Sequence, residues 1–359
     1  MLKNIQYLLA LHSVNGLGPV RLRALLDYFQ DPKLAWEVGI ADLQEIGIPR
    51  NAVDALIETR KTLVPQKYLE SIEKSKIKWI TIFDEAYPKL LKQIYDPPVV
   101  LYYMGEIESW NAKAIAVVGT RKITGYGRSV TEQFVTDLVG SGLVIVSGLA
   151  KGVDTMAHKA AIKAGGQTWV ILGGGLNNIY PAENIGLAKQ IIEGFGVVIS
   201  EHPPDYQSLP GNFPARNRII SGLSLAVLVT EAAIDSGSLI TAKEAVEQGR
   251  DVFAIPGAIT SEMSKGPVSL IREGAKPVFS ADEILEELGL VGGIVNPERD
   301  LNLSQEERKV LDCLDNEEMH IDEICRELGL PIHQVSALVL KMEIVGLVRG
   351  LGGGIYSKG

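Results

Sequence analysis

AIAVVGTRKITGYG, residues 114–127, reads as a buried strand, a glycine turn and the mouth of a helix. Residues 114–118 are small or β-branched and apolar throughout, the pattern of a strand covered on both faces. Gly119 stops the run. Arg121 and Lys122 follow at once, then Thr124, Gly125 and Gly127, and the mixed segment 128–139 predicts a helix. Strand, glycine turn, helix is the first unit of a doubly wound α/β sheet, in which ligands sit outside the carboxyl ends of the strands. A turn at that edge with backbone N–H groups, a helix N-terminus and two cations suits an anion. The spacing is not Gly-x-Gly-x-x-Gly, because Thr120 stands second and a bulky cation third, and no acidic residue closes the next apolar run, 143–146. An ordinary NAD or FAD site is therefore poorly supported. The plain alternative is a glycine turn bearing a surface arginine.

Working outward, strand-like runs at 143–146, 168–172, 196–200, 226–230 and 252–255 alternate with segments long enough for right-handed helical crossovers. This predicts one mostly parallel α/β sheet with helices on both faces and polar or glycine loops gathered at one edge. Upstream, 79–83 and 99–103 read as strands and 88–94 as a short helix, an addition to that sheet. Residues 1–65 read as all-helical. There Gly16-Leu17-Gly18-Pro19 lies between two helical runs, a helix-hairpin-helix pattern, with a weaker copy around Gly47. Such hairpins hold a nucleic-acid phosphate or serve only to pack helices.

The chain has 359 residues, with 35 basic and 44 acidic side chains giving a net charge of −9. A body of that sign confines any nucleic-acid site to a local patch. Cys313 and Cys325 are the only cysteines and lack metal-ligand spacing, which fits a reducing, cytoplasmic setting and no disulfide framework. No export leader is expected, and no apolar run reaches the length of a membrane span. Neither a metal nor a cofactor is expected.

The loops at the sheet edge carry the chemistry. Ser147-Gly148-Leu149-Ala150-Lys151-Gly152-Val153-Asp154 precedes a helix bearing His158. Gly173-Gly174-Gly175 leads to Tyr180. Phe213-Pro214-Ala215-Arg216-Asn217-Arg218 and Ser236-Gly237-Ser238 follow later strands. Arg121, Lys151, Arg216 and Arg218 supply charge, and Phe213 and Tyr180 supply faces on which unpaired bases stack. The structural alternative makes the two rings core lids. Asp154 reads better as a helix cap and His158 as a buried structural residue. Arg216 and Arg218, two cations in an apolar loop, are expected to face an anion. Asp154, His158, Glu201 and Glu231 do not form an evident acid–base set, so no catalytic residue is assigned.

These motifs, from Gly119-Thr120-Arg121 to Ser236-Gly237-Ser238-Leu239-Ile240-Thr241, together resemble the DNA-processing protein A (DprA, or Smf) family. The resemblance covers about 89–281. It implies an extended Rossmann fold that binds single-stranded DNA without catalysis. It also implies a homodimer that loads the recombinase RecA onto strands covered by single-strand binding protein, in natural transformation or recombination. Carried over by position, the DNA-contacting candidates are the Gly119-Thr120-Arg121 turn, the Lys151 loop and the Arg216-Asn217-Arg218 loop, and the edge loops add Lys122, Thr124, Gly148, Gly174, Phe213, Ser236, Gly237 and Ser238 as DNA-binding candidates. The resemblance places the dimer surface near the expected helix 239–248 and the segment 267–278, where Val268, Leu270 and Ile271 are apolar. Thr120 replaces a common serine, and Ala182 a residue that is basic in some relatives. Two other functions fit the fold class: a nucleoside-monophosphate phosphoribohydrolase, whose Pro-Gly-Gly-x-Gly-Thr turn is absent here, and a small-nucleotide sensor.

Residues 304–359 read as a winged helix, with a helix-turn-helix around Gly329-Leu330-Pro331 and a wing tipped by Gly352-Gly353-Gly354. Acidic residues outnumber basic ones there, which favours a regulatory or protein contact over strong duplex binding. The expected domains are 1–65 (helical), 66–288 (extended Rossmann), 289–303 (linker) and 304–359 (winged helix).

Overall fold

The computed structural model describes residues 3–290, 304–314, 319–344 and 347–358. Most of the expected linker, 291–303, lies outside the described residues. Contacts divide the chain into two compact units, Met1–Ile294 and Val295–Gly359.

The first unit is organised by a nine-stranded sheet. Its strands are β1 (Lys78–Thr81), β2 (Val100–Gly105), β3 (Ala114–Val118), β4 (Val144–Ser147), β5 (Thr168–Leu172), β6 (Gly196–Ser200), β7 (Ala226–Val229), β8 (Asp251–Ala254) and β9 (Lys276–Pro277). The order is β1-β2-β6-β5-β4-β3-β7-β8-β9. All neighbours from β6 to β9 run parallel, whereas β1 with β2 and β2 with β6 are antiparallel. From β3 the chain steps outward through β4, β5 and β6, then crosses back to place β7 on the other side of β3. Strand order therefore reverses between β3 and β7, the place where open α/β sheets form a crevice at their carboxyl edge.

The apolar run of β3 shows why this strand is central. Ala114, Ala116 and Val118 belong to the core on one face and Ile115 and Val117 to the core on the other. The second face is covered by the helices Gly125–Gly140, Val153–Lys163 and Ala281–Glu287, through residues such as Phe134, Ala157 and Ile284. The first face is shared with the N-terminal helices, since Leu8, Leu22, Leu25 and Leu56 lie in the same core as Val146 and Val198. The helical 1–65 segment thus packs into the sheet's own unit. Its hairpins form as the glycines require. Gly16 (φ 87°) and Gly47 (φ 81°) take the left-handed backbone that other residues avoid. Pro19 opens the helix Pro19–Phe29, where its missing N–H costs nothing.

Two sequence expectations shift. The helix after the glycine turn begins at Gly125 because Thr124 accepts the Gly127 N–H at 3.1 Å and caps it there. The Phe213–Arg218 segment is not a loop but the first part of a helix, Asn212–Gly222, whose first turn accommodates Pro214.

The second unit is a small winged helix. Helices Gln305–Cys313, Ile321–Leu328 and Ile332–Ile344 stand beside a sheet of β10 (Met319–His320), β11 (Val348–Gly352) and β12 (Ile355–Lys358). Val310, Ile324, Val335, Val339 and Met342 fill its core. Gly329, at φ 64°, ends one helix and turns the chain into the next. No described helix is long and apolar enough to cross a membrane.

Candidate functional site

The crevice between β3 and β7 opens into a cleft of about 720 Å³ at the carboxyl edge of the sheet. Gly119, Thr120, Arg121 and Lys122 line it after β3, Ala150 and Asp154 after β4, and Asp235, Ser236, Gly237 and Ser238 after β7. Phe213, Arg216 and Asn217 line it from the helix Asn212–Gly222, and Tyr180 from the loop after β5. Chain segments more than a hundred residues apart meet here because each strand ends at the same edge.

Glu231, just beyond β7, fixes the turn that the sequence singled out. Its carboxylate accepts the Thr124 N–H at 3.0 Å and the Thr124 hydroxyl at 2.6 Å, and its carbonyl accepts the Thr120 N–H at 2.6 Å. A Cβ on Gly127 would collide with that carboxylate, so only glycine fits. Glu231 is 4% exposed and sits at the N-terminus of the helix Gly125–Gly140. A carboxylate already holds the helix end that the sequence offered to an external anion. What the turn still presents outward is Arg121 and Lys122, both exposed.

Arg121 lies with its guanidinium carbon 5.9 Å from the centre of the Phe213 ring. Phe213 in turn lies 5.7 Å, centroid to centroid, from Tyr180, whose ring is exposed. Cation and two rings thus follow one another along the rim of the cleft.

Arg216 and Arg218 behave differently from their sequence expectation. Residues two apart on a helix point to opposite sides. Arg216 turns under the cleft floor, 5% exposed, donating to the carbonyls of Gly148 at 2.8 Å and Ile171. Gly148 must lack a Cβ because the guanidinium occupies that space. Burial pushes the Arg216 pKa down to about 10, with Asp154 opposing the shift and Arg121 adding to it. Arg218 turns away to a buried cluster, bonding Asp96 at 2.8 Å and Glu201 at 2.6 and 3.0 Å. Burial works against its charge, but Glu201 and Asp96 more than offset this and hold it above its usual range. The guanidinium of Arg218 faces two carboxylates and is not presented to the cleft.

Asp154 accepts the N–H groups of Gly148 at 3.1 Å and Ala150 at 3.2 Å, shaping the loop before its helix. Burial raises its pKa, against the pull of Arg216 and these N–H groups. His158 lies one turn further along, fully buried. Thr168 gives its hydroxyl proton to the Ile145 carbonyl, so the His158 Nδ1, 2.7 Å from the Thr168 hydroxyl oxygen, carries the ring proton and donates it to that hydroxyl. Burial lowers the His158 pKa to about 3. It is a neutral ring behind the loop, and it does not line the cleft.

Of the remaining candidates, Lys151 pairs with Glu183 at the exposed surface beside the cleft. Gly174 is buried, with its carbonyl accepting from Ser200 at 2.7 Å, and does not line the cleft. Ser236 and Ser238 share a hydrogen bond at 2.8 Å at its far wall. Sequence reasoning missed Met263, which closes the cleft from the β8–β9 connection, where its carbonyl takes the Ala232 N–H at 2.8 Å. No local pattern marks it. Among the described residues no three His, Cys, Asp or Glu side chains gather as a metal site.

Residues 78–289 match the family described as DNA recombination-mediator protein A, and residues 295–354 match the DprA winged helix domain. The chain belongs to the DNA recombination-mediator protein A family. A DNA processing protein DprA of Bacillus subtilis is 45% identical over 62% of this chain and 75% of its own length. A Synechocystis protein Smf is 35% identical over 98% of each. The X-ray structure of DprA from Streptococcus pneumoniae superposes with a TM-score of 0.70 at 39% identity, covering 80% of this chain and 99% of that one. A Helicobacter pylori DNA processing protein A, described for its single-stranded DNA binding mode, superposes at 0.54 with 30% identity over 59% and 95% of the two chains. As a DprA family member, the chain carries the family's sheet and its winged helix.

Proposed function

We propose that the cleft binds single-stranded DNA and that the protein is a recombination mediator rather than an enzyme. The observation that carries this is the rim itself: Arg121 over Phe213 beside Tyr180, with Lys122 exposed next to it. Stacking on these rings requires bases free of a partner strand, and each stacked base contributes about 1–3 kcal/mol. The exposed cations give the phosphates a local positive strip on an acidic body. The DNA contacts are Arg121, Lys122, Phe213 and the backbone around Gly119, Thr120, Ser236, Gly237 and Ser238. Lys151 joins them once freed from Glu183. Arg216, Asn217, Gly148 and Thr124 support this surface from beneath. The Helicobacter relative, described as binding single strands, supports the same reading.

Binding without turnover agrees with how the carboxylates are used. Glu231 and Asp154 are spent on backbone N–H groups, and His158 is a buried neutral ring.

The finer role is loading of RecA on strands coated with single-strand binding protein, by a homodimer. Val268 and Ile271 are half-buried, and Leu270 packs against the main core. On the helix Ser238–Glu247, Val246 is 65% exposed and adds apolar surface for a second copy. Two linked clefts make the second strand contact intramolecular, so modest sites hold DNA tightly. The test is RecA ATPase activity on DNA pre-coated with single-strand binding protein. The expected result is a shortened lag that tracks this protein's concentration; no acceleration at any ratio removes the mediator role.

Glu183 sets a limit on affinity. Removing its charge with Glu183→Gln frees the exposed Lys151 and is expected to tighten single-strand binding by roughly threefold at low salt, with the gain lost at high salt. Fluorescence anisotropy with a labelled oligonucleotide at two salt concentrations reads this.

A further inference from the structure

Tyr126 is the only aromatic residue of the 114–127 stretch, and it does not line the cleft. It is 49% exposed. Its hydroxyl donates to the Pro256 carbonyl at 2.9 Å, in the loop after β8. The polar end of the side chain is therefore spent within the protein, and the half-exposed ring is tied from the first turn of the helix Gly125–Gly140 to the loop after β8. Lys122 lies in the turn four residues before it and Arg128 follows two residues later in the helix, both exposed. Among the described residues neither is in an ion pair. The Arg128 guanidinium bends back to the Ile123 carbonyl at 3.2 Å, which keeps it over the turn that carries Arg121 and Lys122.

We propose that Tyr126 is a second stacking platform, outside the cleft, for single-stranded DNA that leaves Arg121 and Phe213 and runs toward the β8 loop. Lys122, exposed on the β3 turn, holds a phosphate beside the stacked base, and the Arg128 guanidinium, bent back to the Ile123 carbonyl, adds positive charge to that turn. The assignment rests on the cleft reading above and adds a direction to it: beyond Arg121 the strand continues over the β3 turn. The combination is what points to nucleic acid. A ring immobilised at its hydroxyl loses little freedom on stacking, every base offers it a face, and unpaired cations on a net-negative protein favour a polyanion.

The test compares oligothymidylates of about 4 and about 12 nucleotides, the range of compact single-strand sites, on the full chain. The variants are Tyr126→Leu, which removes the π face, and Tyr126→Phe, which keeps it and loses only the hydroxyl bond. Melting temperatures verify folding. The expected result is that the advantage of the longer strand falls about tenfold in Tyr126→Leu and stays within about twofold of wild type in Tyr126→Phe. A 2-aminopurine base in the longer strand is quenched by wild type and by Tyr126→Phe, not by Tyr126→Leu. An equal advantage in all three proteins overturns the proposal, as does a loss in Tyr126→Phe matching that in Tyr126→Leu, which would make the Pro256 bond the cause. If the platform fails while the cleft stands, Arg121→Ala still weakens the short strand. If wild type binds neither length, both readings fall together.

Discussion

Replacing Arg218 by alanine is expected to destabilise the first unit by about 3–5 kcal/mol, the usual cost of stranding one side of a buried ion pair. The side chains of Arg218 and Glu201 are 9% and 10% exposed, so water does little to rescue a lone Glu201 carboxylate. Asp96, at 34%, is partly solvated and adds less. A loss of that size lowers the melting temperature by roughly 10 °C. Arg218→Lys recovers only part of it, because an ammonium replaces the two-pronged contact to Glu201 with a single point charge. Arg218→Glu is worse still, placing a third carboxylate in the cluster. Thermal unfolding and single-strand affinity measured on the same samples separate the roles. A variant with wild-type stability and lost affinity would mean that Arg218 faces the DNA and not the carboxylates.

Arg121→Ala has the opposite profile. Arg121 is exposed and its guanidinium touches the protein chiefly over the Phe213 ring, an interaction of about 0.5–1 kcal/mol. Folding should be unchanged. Binding should fall at least tenfold at moderate salt, because the variant loses both a phosphate partner and the cation that orients the stacking ring. Each lost phosphate contact flattens the dependence of log affinity on log salt by about 0.7 for a single strand. The double variant Arg121→Ala/Lys122→Ala should show the larger change in slope.

The architecture was legible where burial is complete. β3, β5 and β6 are buried along their whole length, and the sequence pattern places their bounds where the structure has them. The carboxyl edge followed, since each run ends in small or polar residues. Phe213–Arg218 misled because an aromatic-proline pair resembles a loop, while proline in a first helical turn is equally permissible. Once that segment is helical, Arg216 and Arg218 cannot share a target. The partners that absorb their charge, Asp154, Glu201 and Asp96, lie up to 122 residues away, and no local pattern links them. Glu231 is a similar case: a carboxylate after a strand is visible, but its bond to Thr124, 107 residues distant, arises from strand order alone. The N-terminal helices showed their apolar faces in the sequence, not the sheet face that those residues meet.

The most direct measurement is a salt titration of affinity for a single strand and for the duplex of the same sequence, using wild type and Arg121→Ala/Lys122→Ala with matched melting temperatures. Wild type is predicted to prefer the single strand throughout, and the double variant to lose that binding with a slope shallower by roughly 1.4, two contacts' worth. Equal affinity of wild type for both forms, or an unchanged slope in the folded variant, would contradict a single strand held on the rim of this cleft.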